Sequence, residues 1–241
     1  NAFKLPSFGV VKVFKFKEPK GDLKTATIVK EVDGLYLKIV VDEYNSKVKN
    51  RDSQSVVALD MGLKFFTVTS DGEFVDNPKH LFKYLAELRV QQRKLSRRKK
   101  GGNNWKKQVI VVQRLHLKVR RCRLDFLQKQ STLLSNNYET VIVEDLNIKG
   151  MSKNKSLSKH ILDCGWGTFF SLLEYKTNVI KVSPRYSSQE CSKCGHTCKE
   201  NRPTQSLFEC IKCGFIENAD KNATLNLFQR GQSLMEANVN Q

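Results

Sequence analysis

The sequence predicts an α/β protein in which strands and a long helical hairpin share the chain with an inserted zinc ribbon. Three observations carry this reading. Ser55–Met61 (SVVALDM) and Thr140–Glu144 (TVIVE) are continuous apolar runs of strand length, as buried strands are. Between them, apolar residues recur at helical spacing, at Leu81, Leu85, Leu88 and Leu95 and again at Val112, Leu115, Val119, Cys122, Phe126 and Leu133. Further on, Cys191-x2-Cys194 is followed after fifteen residues by Cys210-x2-Cys213.

The elements follow in order. Residues 9–18 (GVVKVFKFKE) alternate in two short stretches, with Lys12 between Val11 and Val13 and Lys15 between Phe14 and Phe16. The phase slips between Val13 and Phe14, which suits a bulge. Residues 25–31 and 35–41 are strand-like, and Asp33-Gly34 reads as a two-residue hairpin turn between them. Asn50, Arg51 and Asp52 mark a polar boundary, so residues 1–52 form a small β unit. The second unit opens at Ser55–Met61 and continues with Phe65–Thr69 and Glu73–Val75 around the hairpin signal Asp71-Gly72. The two apolar stripes over 79–135, broken by Gly101, Gly102, Asn103 and Asn104, predict two long antiparallel helices joined by a basic loop. Thr140–Glu144 is a strand. Residues 157–175 read as helix, interrupted near Gly165 and Gly167, and Val179–Val182 as a short strand ending at Pro184. Asp220–Arg230 predicts a last helix, and residues 231–241 a polar, frayed tail.

Composition limits the function. Among 241 residues, Lys and Arg number 42 against 24 Asp and Glu, for a net charge of +18. Such an imbalance points to a polyanionic partner. No apolar run approaches the roughly 20 residues of a spanning helix, and the N-terminus lacks a signal pattern. It also lacks Met and opens close to strand-like sequence, as part of a longer protein would. Of seven cysteines, four are paired as CxxC, which suits metal in a reducing, intracellular compartment rather than a disulfide framework.

The cysteine spacing is that of a zinc ribbon. Each CxxC turn offers two thiolates, and two turns complete a tetrahedron with sulfur at about 2.3 Å from the metal. Gly195 and Gly214 follow the pairs, where the chain must turn tightly. Unligated cysteines or a disulfide are the plainer alternatives, and His196 and Cys198 are substitute ligands that break the symmetry. Cys122 belongs to a helix stripe. A closed shell of four cysteines leaves Zn2+ no position for chemistry, so its role is structural.

Three acids stand at telling places. Asp60 ends VVALD, Glu144 ends TVIVE, and Asp220 opens the helix of NADKNATLNL. Carboxylates converging from strand ends and a helix start can hold two divalent ions that clamp a phosphodiester. Each also has a bland reading: Asp60 a turn acceptor, Asp220 a helix cap, Glu144 a strand-end charge with Asp145 as its competitor. Separately, Arg93, Lys94, Arg97, Arg98, Lys99, Lys100, Lys106 and Lys107 surround Trp105 at the hairpin tip. Phosphate contact explains such density, and Trp105 offers a stacking face; a solvated charge face is the alternative.

VVALDMGLKFFTVTSDG, VIVEDLNIKGM, CGWGTFFSLLEYK, SPRYSSQECSKCG and NADKNATLNL together, in that order, resemble the TnpB family of transposon-encoded RNA-guided DNA nucleases. This family is also called OrfB transposase-like and is similar to the ancestors of type V CRISPR effectors. The resemblance spans about residues 5 to 230. It implies an RNase H-like RuvC nuclease domain over 53–184 and 219–230, with the helical hairpin (79–135) inside it. It further implies a zinc ribbon over 185–218, a partial β-barrel wedge domain over 1–52, and a tail over 231–241. Upstream, a family member carries the rest of the barrel and a helical recognition domain. By motif, Asp60, Glu144 and Asp220 match the catalytic acids that hold two Mg2+ ions, Asn222 matches the Asn of a D-x-N element, and the four cysteines match the zinc ligands. Arg185 departs from the family, which more often has a small residue before the Tyr. The implied activity is cleavage of single- or double-stranded DNA directed by a guide RNA, with no membrane partner. Non-cleaving RNA-guided DNA binding, a transposition accessory role and strand-transferring transposition are the alternatives.

Overall fold

A computed structural model describes residues 2–5, 9–14, 21–42 and 55–239. The chain divides into two compact units, residues 1–49 with 87–118 and residues 50–86 with 119–241.

In the first unit, β1 (Ala2–Leu5) pairs antiparallel with β2 (Gly9–Lys12), and β3 (Asp22–Glu31) with β4 (Gly34–Asp42). Among the described residues these are two separate two-stranded sheets. β2 ends at Lys12, so the phase slip after Val13 ends the strand instead of bulging it, and Phe14 is exposed. The second half of that stretch, residues 15–18, and the boundary Asn50–Asp52 lie outside the described residues, as do residues 240 and 241. In the β3–β4 hairpin Glu31 pairs with Gly34, so the two loop residues are Val32 and Asp33, one position earlier than the sequence suggests. Tyr36 Oη donates to the Asp33 carboxylate at 3.1 Å, which fixes the turn from the side chain.

The same unit holds the outer part of the helical hairpin, formed by α1 (His80–Ser96) and α2 (Asn103–Asn137). Leu88, Val112, Leu115 and Leu117 are buried there. Gln108 Nε2 donates to the side chain and backbone carbonyl of Gln91, at 2.8 and 3.2 Å, and so joins the two helices.

The second unit is built on a five-stranded sheet in the order β7-β6-β5-β8-β9. Its strands are β5 (Val56–Met61), β6 (Phe65–Thr69), β7 (Phe74–Asp76), β8 (Thr140–Glu144) and β9 (Asn178–Val182). β5, β8 and β9 run parallel, while β6 and β7 meander antiparallel from β5. The β6–β7 loop is Ser70–Gly72, closed by Gly72 N–H to Thr69 O at 2.9 Å, a three-residue turn with its glycine at positive φ.

Alternation along β5 and β8 sorts their side chains. Val57, Leu59, Val141 and Val143 enter one core with Leu127, Ile161, Trp166, Phe169 and Leu173. That core is closed by the inner part of α2, α4 (Ser158–Cys164) and α5 (Trp166–Glu174), which follow the one-turn α3 (Ile148–Met151). The break between α4 and α5 falls at Gly165 alone, and Gly167 lies inside α5. On α2 the buried residues of the inner part are Val119, Leu127, Ser131, Leu134 and Ser135; Leu133, assigned to the stripe by spacing, is half exposed.

Ala58 and Ile142 face the opposite side, where they pack with Val182 and Leu227 of α6 (Ala219–Val239). α6 runs well past Arg230, so the expected tail is helix through Val239. Gly231 does not end it. A Cβ there would stand 2.2 Å from Ile142 Cδ1, so the missing side chain lets the helix lie close against the sheet. The cysteine segment lies between β9 and α6 and contains a short antiparallel hairpin, β10 (Leu207–Glu209) and β11 (Ile216–Asn218). Among the described residues no helix is long and apolar enough to cross a membrane.

Candidate functional site

The register of the parallel strands brings the acids together. Ala58 pairs with Ile142 and Leu59 with Val143, so Asp60 and Glu144 follow side by side on the face that α6 covers. α6 starts there too. Asn218 caps it, its Oδ1 accepting from the N–H groups of Asp220 (2.9 Å) and Lys221 (3.2 Å). The cap is therefore Asn218 and not Asp220, whose carboxylate is left to meet Arg202 at 3.3 Å. Asp145, the competitor of Glu144, is exposed, whereas Glu144 is only 7% exposed.

Burial and mutual repulsion act on the acids. Burial, then the charges of Glu144 and Asp220, push the Asp60 carboxyl up to about 7; Arg202 and the Met61 N–H act against them. Burial also raises Glu144, opposed by a hydrogen bond from Ser187 Oγ (3.2 Å) and by the charge of Arg230. Asp60 and Asp220 line a cleft of about 230 Å3 together with Gly62, Lys64 and Gln205. Carboxylates gathered in a half-buried cleft repel one another, and a hard divalent cation with oxygen ligands is what relieves that repulsion. The donor set therefore fits such an ion.

The cysteines are drawn more tightly. Sγ atoms of Cys191, Cys194, Cys210 and Cys213 all lie within 4.8 Å of one another, the one group of ligating atoms so close among the described residues. The two knuckles repeat one design. Gly195 N–H returns to Cys191 O and Gly214 N–H to Cys210 O, both at 2.8 Å, and both glycines take φ near +70°. Cys191 N–H reaches His196 O (3.0 Å), as Cys210 N–H reaches Phe215 O (2.8 Å). Buried Asn201 ties the halves, donating to Gln189 O and His196 O and accepting from Ile211 N–H. Sγ pairs at 3.6 and 3.7 Å are far too long for disulfides. Cys198 donates instead to Glu200 at 2.6 Å, and neither it nor His196 joins the group. Four sulfurs so placed could bind a metal such as zinc.

Asn222 is two residues from Asp220 but holds the segment that leads into the first cysteine turn. Its amide accepts from Ser192 N–H (3.0 Å) and donates to Glu190 O (2.8 Å). Sequence reasoning missed four residues here: Arg202, Gln205, Ser187 and Asn226. No motif spacing links them to the acids; only the fold brings them near.

At the outer end of the helical hairpin, Arg98, Lys99, Asn103, Asn104, Trp105 and Lys107 line a cleft of about 640 Å3. Arg98 Nη1 donates to Asn104 O at 2.5 Å across the tip. Arg93, Lys94, Arg97, Lys100 and Lys106 are exposed on the flanking turns. From Leu88 to Leu124 the chain has 14 Lys and Arg residues and no Asp or Glu. A surface face balanced by i,i+4 ion pairs has both signs, and this stretch has one.

Comparison with known proteins agrees with this arrangement. The OrfB_IS605 family model, described as a probable transposase, matches residues 38–155. A second model, the Cas12f1-like TNB domain, matches residues 166–227, which include all four cysteines and Asp220. InsQ of Escherichia coli K12, whose name describes an RNA-guided DNA endonuclease, is 34% identical over 96% of this chain. Over these stretches the chain is similar to proteins of the OrfB (TnpB-like) family. Another relative, the CRISPR-associated endodeoxyribonuclease Cas12f1 of Sulfoacidibacillus thermotolerans, is 24% identical over 80% of the chain. The chain spans 62% of InsQ and 49% of that Cas12f1, so both relatives are considerably longer. Among solved structures, a Cas12f1–sgRNA–target DNA complex matches with a TM-score of 0.50 at 20% identity, covering 83% of this chain and 54% of that one. The shared fold is the mixed α/β architecture.

Proposed function

We propose that this chain is the nuclease-bearing part of an RNA-guided DNA endonuclease that hydrolyses phosphodiester bonds with Mg2+. The observation that carries the reading is the convergence of Asp60, Glu144 and Asp220 from β5, β8 and α6; burial first, and the charges of the other two acids second, lift Asp60 to about 7. In this reading the five-stranded sheet with α6 is an RNase H-like RuvC core over 53–184 and 219–230, carrying the helical hairpin 79–135. Residues 185–218 are a zinc ribbon, and residues 1–52 part of a β-barrel wedge domain.

Asp60, Glu144 and Asp220 would hold two Mg2+ ions, which would supply activation of the attacking water and stabilisation of the leaving 3′ oxygen. Arg202 holds Asp220 and places a positive charge beside the cleft, where a scissile phosphate needs one. Cys191, Cys194, Cys210 and Cys213 hold Zn2+ in a closed shell, as a structural site. The acid-free basic stretch, with Arg93, Lys94, Arg97, Arg98, Lys99, Lys100, Lys106 and Lys107 around Trp105, binds the nucleic-acid backbone, and base pairing with the guide RNA reads the DNA sequence.

The test is cleavage by the full protein assembled with its guide RNA. Asp60→Ala and Glu144→Ala should each reduce Mg2+-dependent cutting about a thousandfold or more while leaving DNA binding intact. Undiminished cutting by either variant removes the assignment. Charge reversal at Arg97, Arg98, Lys99 and Lys100 should weaken binding and flatten its salt dependence; an unchanged salt slope removes the hairpin from the interface. The family description as a transposase supports a second reading, strand transfer at the same acids. Joined products from defined transposon ends would favour it, and simple cuts would not.

A further inference from the structure

We propose that Ser187 is a positioning residue for Glu144, held in place by Asn226, so that the segment leading into the first cysteine knuckle also sets the geometry of the acidic centre. The inference rests on the nuclease reading above and adds to it a residue outside the acidic and cysteine motifs.

Ser187 is 5% exposed and lies between β9 and Cys191. Its Oγ stands 3.2 Å from Glu144 Oε1 and 3.0 Å from Pro184 O. A hydroxyl has one proton to give, and an ionised carboxylate is the stronger acceptor. This hydroxyl therefore fixes one oxygen of the Glu144 carboxylate.

The hydroxyl is itself held from α6. Asn226 Nδ2 donates to Ser187 O at 2.9 Å and to Glu190 O at 2.7 Å. One turn back, Asn222 grips Glu190 O and Ser192 N–H. One turn on, Arg230 pairs with the Glu190 carboxylate and donates to Ser183 O (2.8 Å) and Arg185 O (2.9 Å). Positions 222, 226 and 230 fall on one helical face. That face holds the segment at Ser183, Arg185, Ser187, Glu190 and Ser192, on both sides of the bend. Tyr186, directly before Ser187, has a φ of +62°, which non-glycine residues seldom adopt and which neighbours must enforce. The segment then enters Cys191. The helix that carries Asp220 thus fixes both the knuckle and the donor to Glu144.

A donor behind a ligating carboxylate orients it, and loss of such a partner typically weakens metal binding by about 10–100-fold. The experiment compares Ser187→Ala and Ser187→Thr in the full protein with its guide RNA. Three quantities are read: zinc content, Mn2+ affinity by titration of the free ion, and the Mg2+ concentration that half-saturates single-turnover cleavage. Ser187→Ala should keep its zinc and its melting temperature, and raise both metal half-saturation values about tenfold or more. Ser187→Thr, which keeps the hydroxyl, should restore them to within about twofold of the parent. Unchanged metal half-saturation in Ser187→Ala overturns the proposal. So does a loss that threonine fails to rescue, or one that appears only together with lost zinc and a lowered melting temperature. Glu144→Gln serves as the separate control. If it too leaves Mn2+ affinity and cleavage unchanged, the nuclease reading itself fails; if it abolishes them while Ser187→Ala does nothing, only the positioning role fails.

Discussion

The carboxylate centre and the cysteine cluster are joined by one segment of chain, yet they are assembled on opposite principles. The cysteines come from two local turns, each closed by its own backbone hydrogen bonds, and their sulfurs lie within 4.8 Å of one another. The acids come from two strands and a helix far apart in sequence, and they meet only because the sheet register and α6 bring them together. One site is drawn tight by turn geometry. The other buries like charges near each other, and burial first, with the charges of Glu144 and Asp220 behind it, raises Asp60 to about 7. A site made of turns should fail when its metal leaves, whereas a site held by a core should keep its shape and relax its charge.

The largest expected effect follows on the cysteine side. Structural zinc in small ribbons contributes about 10–16 kcal/mol of binding free energy that is also folding energy. Chelation should therefore unfold the ribbon, seen as loss of amide protection across 190–218, while strands β5 and β8 stay protected. If protection fell equally in the sheet, the two sites would not be separable, and the contrast drawn here would fail.

The next effect is on the acid side and has a sign. Asp60 titrates near 3.8 as an ordinary aspartate and near 7 in the fold. Between those values the folded protein keeps a proton that the unfolded chain has released. The stability this group contributes is thus fully present below its unfolded value and is lost as pH rises through 7. A rise of that size is worth up to about 4 kcal/mol. Asp60→Asn should remove that slope and melt higher than the parent in the metal-free state above neutral pH. Added Mg2+ should raise the melting point of the parent more than that of the variant. An equally steep fall in both proteins would place the strain elsewhere.

These differences also explain what could be read in the sequence. The CxxC spacing identified the cysteine cluster because all of its geometry is local, and the apolar runs of β5 and β8 and the helical stripes of α1 and α2 were equally plain. The acids stood out singly, at two strand ends and a helix start, but spacing could not join them, since nothing in it says that Ala58 pairs with Ile142. Ser187, Asn226 and Arg202 were invisible for the same reason. The smaller misreadings were local. Asp33-Gly34 looked like the loop because that dipeptide favours it, but the register placed Gly34 in β4. Gly231 looked like a helix end because glycine commonly is one, whereas here it admits Ile142.

A smaller effect probes the join between the knuckles. Asn201 is fully buried and its amide serves three backbone groups, two in the first half of the ribbon and one in the second. Asn201→Ala strands those groups and should cost about 2–3 kcal/mol. Zinc affinity should fall with it, because the knuckles lose their shared post, while the melting of the sheet should not move. Unaltered zinc affinity would mean that the metal alone aligns the two halves.

The finest test sets two glycines against each other. At Gly231 the backbone is helical, and the obstacle to a side chain is Ile142, 2.2 Å from where Cβ would be. At Gly195 φ is +71°, and the space around a Cβ is open. Gly231→Ala must push α6 off β8 or force Ile142 from its rotamer, at a cost of about 1–3 kcal/mol. Since α6 carries Asp220, cleavage should fall with stability. Gly195→Ala pays only for the left-handed backbone, about 1–2 kcal/mol, felt within the knuckle. Its zinc affinity should drop while Mn2+ binding at the acids holds. Gly231→Ala should show the reverse weighting, with Mn2+ binding lost before zinc. The same weighting in both variants would mean that α6 passes each disturbance on to the other site, through the clamp formed by Asn222, Asn226 and Arg230.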